Sequence, residues 1–159
     1  MVVSVDAPSS ASFSGGREWF SVVGITGANR PARIAAAFPV FADAIRGWQG
    51  EAGVSSAFTV LIGFSQGAIM ALESTQVADL ASRIISISGR FAGPPRRAPM
   101  GVTFRFVHGE QDSVIDSRFS LEAAATLRSM GGDAAVHLVP DLGHGIDDRA
   151  ARMVIEFLR

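Results

Sequence analysis

Thr59-Val60-Leu61-Ile62-Gly63-Phe64-Ser65-Gln66-Gly67-Ala68-Ile69-Met70 is the stretch on which the fold turns. It opens with a short apolar run rich in β-branched residues, which reads as a buried strand of a parallel sheet. Gly63-Phe64-Ser65-Gln66-Gly67 follows, a G-x-S-x-G pattern, and then apolar residues at helical spacing: Ala68, Met70 or Ala71, and Leu72. Strand, tight turn, helix is the setting in which such a serine becomes a nucleophile, because the strained turn pushes its hydroxyl past the strand end. Gly63 and Gly67 lack Cβ atoms, so strand and helix are expected to pack closely on either side. The helix start adds unpaired N–H groups and the positive end of its dipole. The plainer reading of the same residues is a glycine-rich βα turn of an ordinary α/β domain, so partners elsewhere must decide.

Composition narrows the field. A length of 159 residues suits one domain with a sizeable core. The net charge of −1 offers no basic excess for nucleic acid or an anionic membrane. No apolar run is long enough to span a bilayer. The first residues lack a basic stretch and a full hydrophobic segment, so no signal peptide is expected and a cytoplasmic protein is. With no cysteine there is no disulfide and no thiolate nucleophile. All 14 basic residues are arginine, which removes Schiff-base and P-loop lysine chemistry. Only three histidines occur, at 108, 137 and 144, without an H-x-x-x-H pair, so no metal site is expected.

Outward from the central stretch, helical and strand periods alternate. Val2–Val5 reads as a short strand, and Asp6 to Gly16 as a loop. Trp19 and Phe20, adjacent aromatics after a turn, are read equally as a cover for the core edge or as a wall of a substrate pocket. Asn29 suits an N-cap and Pro31 a first turn, followed by one apolar face of Ile34, Phe38, Phe41, Ile45 and Trp48. Pro39 should kink or split that helix, and Trp48 should lie in the core. The helix after Ser65 runs to about Val77. Ile84–Ser88 is the next strand, and the Arg96-Arg97 pair in the loop after it is expected to be solvated. Val102–Val107 is another strand, ending at His108-Gly109-Glu110-Gln111-Asp112. Ser117 to Met130 is a helix with Phe119, Ala123, Ala124 and Leu127 on one face, closed by Gly131-Gly132. Ala134–Val139 is a strand, and a last helix, capped by Asp147 or Asp148, shows Ala150, Val154, Phe157 and Leu158. The pattern predicts a mostly parallel sheet of about five strands with helices on both faces.

In such a sheet, ligands bind beyond the carboxyl ends of the strands. Ser65, Asp112 and His144 fall there on three strands, in the chain order Ser…Asp…His. A serine hydroxyl needs an imidazole to take its proton, and the imidazole needs a carboxylate to fix its tautomer. Asp116, Asp133, Asp141, Asp147 and Asp148 compete for the acid. Asp112 is preferred because it lies just past a strand end, with Asp116 second. His137 sits inside a strand and His108 precedes the acid, whereas His144 lies between two glycines in a strand–helix loop.

Gly63-Phe64-Ser65-Gln66-Gly67, His108-Gly109-x-x-Asp112 and Leu142-Gly143-His144 resemble the three signatures of the phospholipase/carboxylesterase family. The likeness extends through Gly16–Val22, Gly24-Ile25-Thr26, Asn29-Arg30, Leu61–Glu73 and Asp141–Asp147 to nearly the whole chain. It implies an α/β-hydrolase fold and hydrolysis of short-chain carboxylic esters or thioesters through an acyl-enzyme, without a cofactor. Ser65 is then the nucleophile, Asp112 the orienting acid, His144 the base and the Gln66 N–H one oxyanion donor; Trp19 and Phe20, on the pocket reading of the aromatic pair, would shape substrate choice. Members carry earlier strands, one ending in a loop that supplies a second oxyanion N–H. In this chain only Met1 precedes Val2, so residues 1–159 are expected to form a single, N-terminally truncated domain. The missing strand would lie between Val2–Val5 and the central strand, leaving an edge through which the chain could form a homodimer. Two other classes compete: an inert α/β fragment that retains the triad and self-associates, and a nucleotide-binding domain. The last lacks both a P-loop and a G-x-G-x-x-G after a strand.

Overall fold

Four parallel strands form the central sheet, in the spatial order β3 (Val60–Phe64), β4 (Arg83–Ile87), β5 (Thr103–Gly109), β6 (Asp133–Val139). The structure, a computed structural model, describes residues 1–11 and 15–159. Ahead of the sheet, β1 (Ser9–Ser10) pairs antiparallel with β2 (Arg17–Glu18), inside and just beyond the segment read as a loop. Residues 12–14 of that loop lie outside the described residues. The helices are α1 (Arg30–Ala52), α2 (Gln66–Val77), α3 (Arg118–Ser129) and α4 (Asp148–Phe157).

The period of two along the strands sorts their side chains between two layers. Leu61, Ile84, Phe104, Phe106, Ala134 and Val136 face α2 and α3. Ile85, Ile87, Val107 and Val139 face α4 through Ala150, Met153, Val154 and Phe157. Burial of α2 is continuous from Ala68 to Thr75, because α1 packs its Ile34, Phe38, Phe41 and Ile45 on the outer side. The sandwiching requires a helix apolar from Ala68 to Leu72, and the buried polar residues after it are satisfied locally: Ser74 and Thr75 donate to the Ala71 and Leu72 carbonyls, and Glu73 accepts from Ala92 N–H.

The sheet has four strands rather than about five, because Val2–Val5 joins no ladder. Val3, Val5 and Ala7 turn toward the protein while Val2, Ser4 and Asp6 stay exposed, so the strand-like alternation is present without a strand. The Arg17 guanidinium holds this segment by donating to the Ala7 and Pro8 carbonyls. Among the described residues, one edge of β3 is therefore unpaired. Its Val60, Ile62 and Phe64 are 37%, 48% and 38% exposed, since α4 covers only the far half of the face they share with Ile85 and Ile87.

Several local expectations are corrected. α1 is one continuous helix through Pro39, not split. Pro39 and Ala35, whose carbonyl loses its donor, both lie on the solvent side. Trp48 is 38% exposed, because it reaches past α2 toward the open edge. Asn29 makes no side-chain cap; its amide bridges the Thr26 N–H and the Gly24 carbonyl instead. Arg96 and Arg97 are not simply solvated: they pair with Glu73 and Asp79, and their N–H groups donate to Gln76, docking the loop on α2. Ser120, not Phe119, is buried on α3, and on α4 Met153, partly buried, packs against the core where Leu158 is exposed.

Candidate active site

Ser65 joins β3 to α2 with φ 51° and ψ −115°, a left-handed backbone that costs a non-glycine residue about 1–3 kcal/mol. The surroundings hold it there. Its N–H donates to the Ile87 carbonyl of β4 at 3.0 Å, and its carbonyl accepts from Ile69 N–H at 3.0 Å. The turn closes because a Cβ on Gly63 would stand 2.3 Å from the Gly67 carbonyl carbon. The expectation that both glycines permit close packing holds only for Gly63, since a Cβ on Gly67 would meet nothing within 4 Å.

Asp112 lies in the turn after β5, buried, with its Oδ1 accepting from the Val114 and Ile115 N–H groups at 2.9 Å each. Its Oδ2 is 2.8 Å from His144 Nδ1. A carboxylate only accepts, so Nδ1 carries the proton and Nε2 offers a lone pair. That Nε2 is 3.0 Å from Ser65 Oγ, which donates to it. The His144 loop is set by Gly109, which lies so close that a Cβ there would be 2.2 Å from the Leu142 carbonyl oxygen. Gln111 N–H donates to that oxygen at 2.9 Å, and the Phe64 ring lies 5.0 Å from the imidazole.

The structure thus brings together Ser65, Asp112 and His144 and leaves their competitors elsewhere. Asp116 accepts from Arg118 N–H at the start of α3, Asp133 pairs with Arg105, Asp141 accepts from Gln111, and Asp147 caps α4. His137 is exposed on β6 against Phe157.

Two site residues have roles that sequence reasoning missed. His108 is fully buried beneath the acid. Its Nε2 donates to the Ile115 carbonyl at 2.8 Å and lies 3.3 Å from Asp112 Oδ2, while Nδ1 accepts from Ser120 Oγ. Its spacing of four residues from Asp112 was the available signal. The Gln66 side chain accepts from Trp19 N–H at 2.9 Å and donates to the Phe20 carbonyl at 3.0 Å. It ties the aromatic pair to the elbow, and nothing in the local sequence signals that.

The pKa directions give this corner an acid limit. Burial lowers the His108 pKa below its ordinary value, against the opposing effect of Ile115 and Asp112. For Asp112, burial would raise the pKa, but hydrogen bonds from Ile115, His144 and Val114 outweigh it and hold the carboxyl low. Below about pH 6.5 the unfolded chain protonates its histidine while folded His108 stays neutral, so stability falls as pH drops from there. The stabilisation from Asp112 is present above its unfolded pKa of about 3.9 and is lost as pH falls through the lower folded value. Urea midpoints should be level above neutrality and decline in two stages below it. His108→Gln should flatten the upper stage, and an unchanged upper stage would refute the assignment.

Two cavities meet at Ser65. The larger, about 600 Å³, is walled by Trp19, Phe64 and the Val5–Ala7 segment. The smaller, about 260 Å³, is walled by Phe20, Ile69 and Val114. Ser65 and Gln66 line both.

A parallel sheet with a serine in a strained βα turn, and an acid and a histidine beyond later strands, defines an α/β-hydrolase. The chain belongs to the phospholipase/carboxylesterase family, whose model matches residues 2–159. It is 45% identical over 160 residues to esterase YpfH of Escherichia coli (strain K12), across all of this chain and 69% of that protein. The crystal structure of esterase PE8 matches with a TM-score of 0.85 at 28% identity, covering 97% of this chain and 75% of that one. SOBER1 of Arabidopsis thaliana, at 17% identity and a TM-score of 0.65 over 97% of this chain and 79% of its own, shares the fold. The protein is a hydrolase of the carboxylesterase class.

Proposed function

We propose that the chain is a serine carboxylesterase that hydrolyses short-chain carboxylic esters or thioesters through an acyl-enzyme. The observation that carries this is the hydrogen-bonded series Ser65 Oγ, His144 Nε2, His144 Nδ1, Asp112 Oδ2. Ser65 Oγ attacks the ester carbonyl carbon and passes its proton to His144 Nε2. Asp112 stabilises the imidazolium, and the Gln66 N–H, free at the start of α2, donates to the oxyanion. The tetrahedral species collapses with cleavage of the acyl carbon–oxygen bond, and the leaving alcohol takes the proton from His144. Water then repeats the sequence on the acyl-Ser65, freeing the acid and restoring the hydroxyl. Trp19 and Phe20 form walls against which the two halves of the substrate lie.

A second reading is favoured by the open edge of β3. In it the chain is weakly active or inert and pairs with a second copy of itself, β3 against β3 about a two-fold axis. Five residues of unpaired backbone edge, with Val60, Ile62 and Phe64 beside it, fit an identical strand.

A fluorophosphonate probe read by intact mass separates the two without knowledge of the natural substrate. One adduct on the wild type and none on Ser65→Ala is the expected result. A folded wild type that takes no adduct and sediments as a dimer would overturn the esterase reading in favour of the second.

A further inference from the structure

The smaller cavity beside Ser65 holds two arginines that nothing in the proposed chemistry uses. Arg30, the first residue of α1, and Arg90, just past β4, line it together with Phe20, Ile69 and Val114. Other arginines at this end of the molecule are occupied. Arg33, one turn along α1, donates to the Ser21 and Val23 carbonyls, and Arg118 pairs with Asp116. Among the described residues, neither Arg30 nor Arg90 forms an ion pair with a carboxylate. Arg90 is held in place instead: its guanidinium lies 3.6 Å from the centre of the Phe119 ring, and its Nε donates to the Phe91 carbonyl. Burial lowers the Arg90 pKa, as do the charges of Arg30 and Arg118, with Glu122 opposing them. Arg30 and Arg90, both half-buried and close enough to repel, thus stand beside a nucleophile at a cavity with apolar walls, and Arg90 also lines a neighbouring pocket with Phe119 and Glu122.

Resting on the serine-esterase reading, we propose that the half of the ester entering this cavity ends in a carboxylate, gripped between Arg30 and Arg90. The walls take a short aliphatic or aromatic spacer, and the two guanidiniums offer planar N–H forks to the terminal oxygens. A neutral ester would leave the two cations opposed only by Glu122 in a partly desolvated site, so the cavity selects for the anion as well as tolerating it.

Matched ester series test this. In the acyl series, mono-4-nitrophenyl glutarate, adipate and pimelate are compared with 4-nitrophenyl pentanoate, hexanoate and heptanoate. In the alcohol series, butyrate esters of ω-hydroxy acids are compared with those of alkanols of equal length. The wild type should favour an anionic ester over its neutral match by about tenfold or more in kcat/KM in one series. Arg30→Gln/Arg90→Gln should erase that ratio, and Arg30→Lys, which keeps the charge, should retain part of it. Neutral esters equal or better in both series, or a ratio that survives the double substitution, would overturn the inference. If the wild type hydrolyses none of the esters, the esterase reading has failed separately. Equilibrium binding of adipamate against hexanamide then decides the arginines' role: tighter adipamate binding, lost in the double variant, upholds it, and equal binding overturns it.

Discussion

Alanine at His144 will lower kcat on a 4-nitrophenyl ester by about 10⁴- to 10⁶-fold, and Ser65→Ala/His144→Ala will be no slower than either single variant. The two residues share one proton along a 3.0 Å contact, so removing either ends the same step. Asp112→Asn is the more telling change. The amide oxygen can keep the Oδ1 bonds from Val114 and Ile115, so the turn survives. The amide nitrogen then faces His144 Nδ1, now as a donor. The imidazole must switch tautomer, placing a proton on Nε2 where Ser65 needs a lone pair. A loss of about 10⁴-fold is expected, with the fold kept but the urea midpoint at neutral pH lowered, because the amide lacks the charge that the Ile115, His144 and Val114 hydrogen bonds stabilise. Effects of His144→Ala and Ser65→Ala that multiply in the double variant would show that they do not act as a unit.

How much of this was legible in the sequence follows from the range of each interaction. The elbow was legible because its determinants are contiguous: β-branched residues, Gly63, Ser65 and a helical apolar face. Asp112 and His144 could be placed because each sits just beyond a strand whose end is marked locally, by Gly109 and by Pro140. The Gln66 amide could not be foreseen, since its partners, Trp19 and Phe20, are 47 and 46 residues away. The bracing by His108 of the acid was half visible, in the spacing of four, but its burial depends on Ser120 across α3. Val2–Val5 was misread because alternation reports which side chains face inward and not whether a neighbouring strand exists. Trp48 was misread for a related reason: helical periodicity gives the face but not how far the covering layer extends. Arg96 and Arg97, adjacent and conspicuous, proved to dock a loop, whereas Arg30 and Arg90, 60 positions apart, share a cavity with Ser65.

Alanine at Gly63 will destabilise the protein by about 3–5 kcal/mol, whereas alanine at Gly67 will change stability by no more than about 1 kcal/mol, in the stabilising direction. The two glycines flank the same serine at equal distance, so a motif treats them alike. Their surroundings do not. A Cβ on Gly63 would sit 2.3 Å from the Gly67 carbonyl carbon and 2.4 Å from Ala68 N, both backbone atoms of α2. No side-chain rotation relieves that contact, so either β3 separates from α2 or the turn at Ser65 opens. In both cases Ser65 Oγ leaves His144, and fluorophosphonate labelling should fall with stability. Gly67 has open space where its Cβ would project, has no positive φ, and is the second residue of α2, where alanine favours the helix. Urea midpoints of the two variants therefore move in opposite directions from wild type. Equal losses at both positions would mean that the elbow demands glycine on both sides of the serine, and that the close approach of strand and helix is shared between them and not concentrated at Gly63.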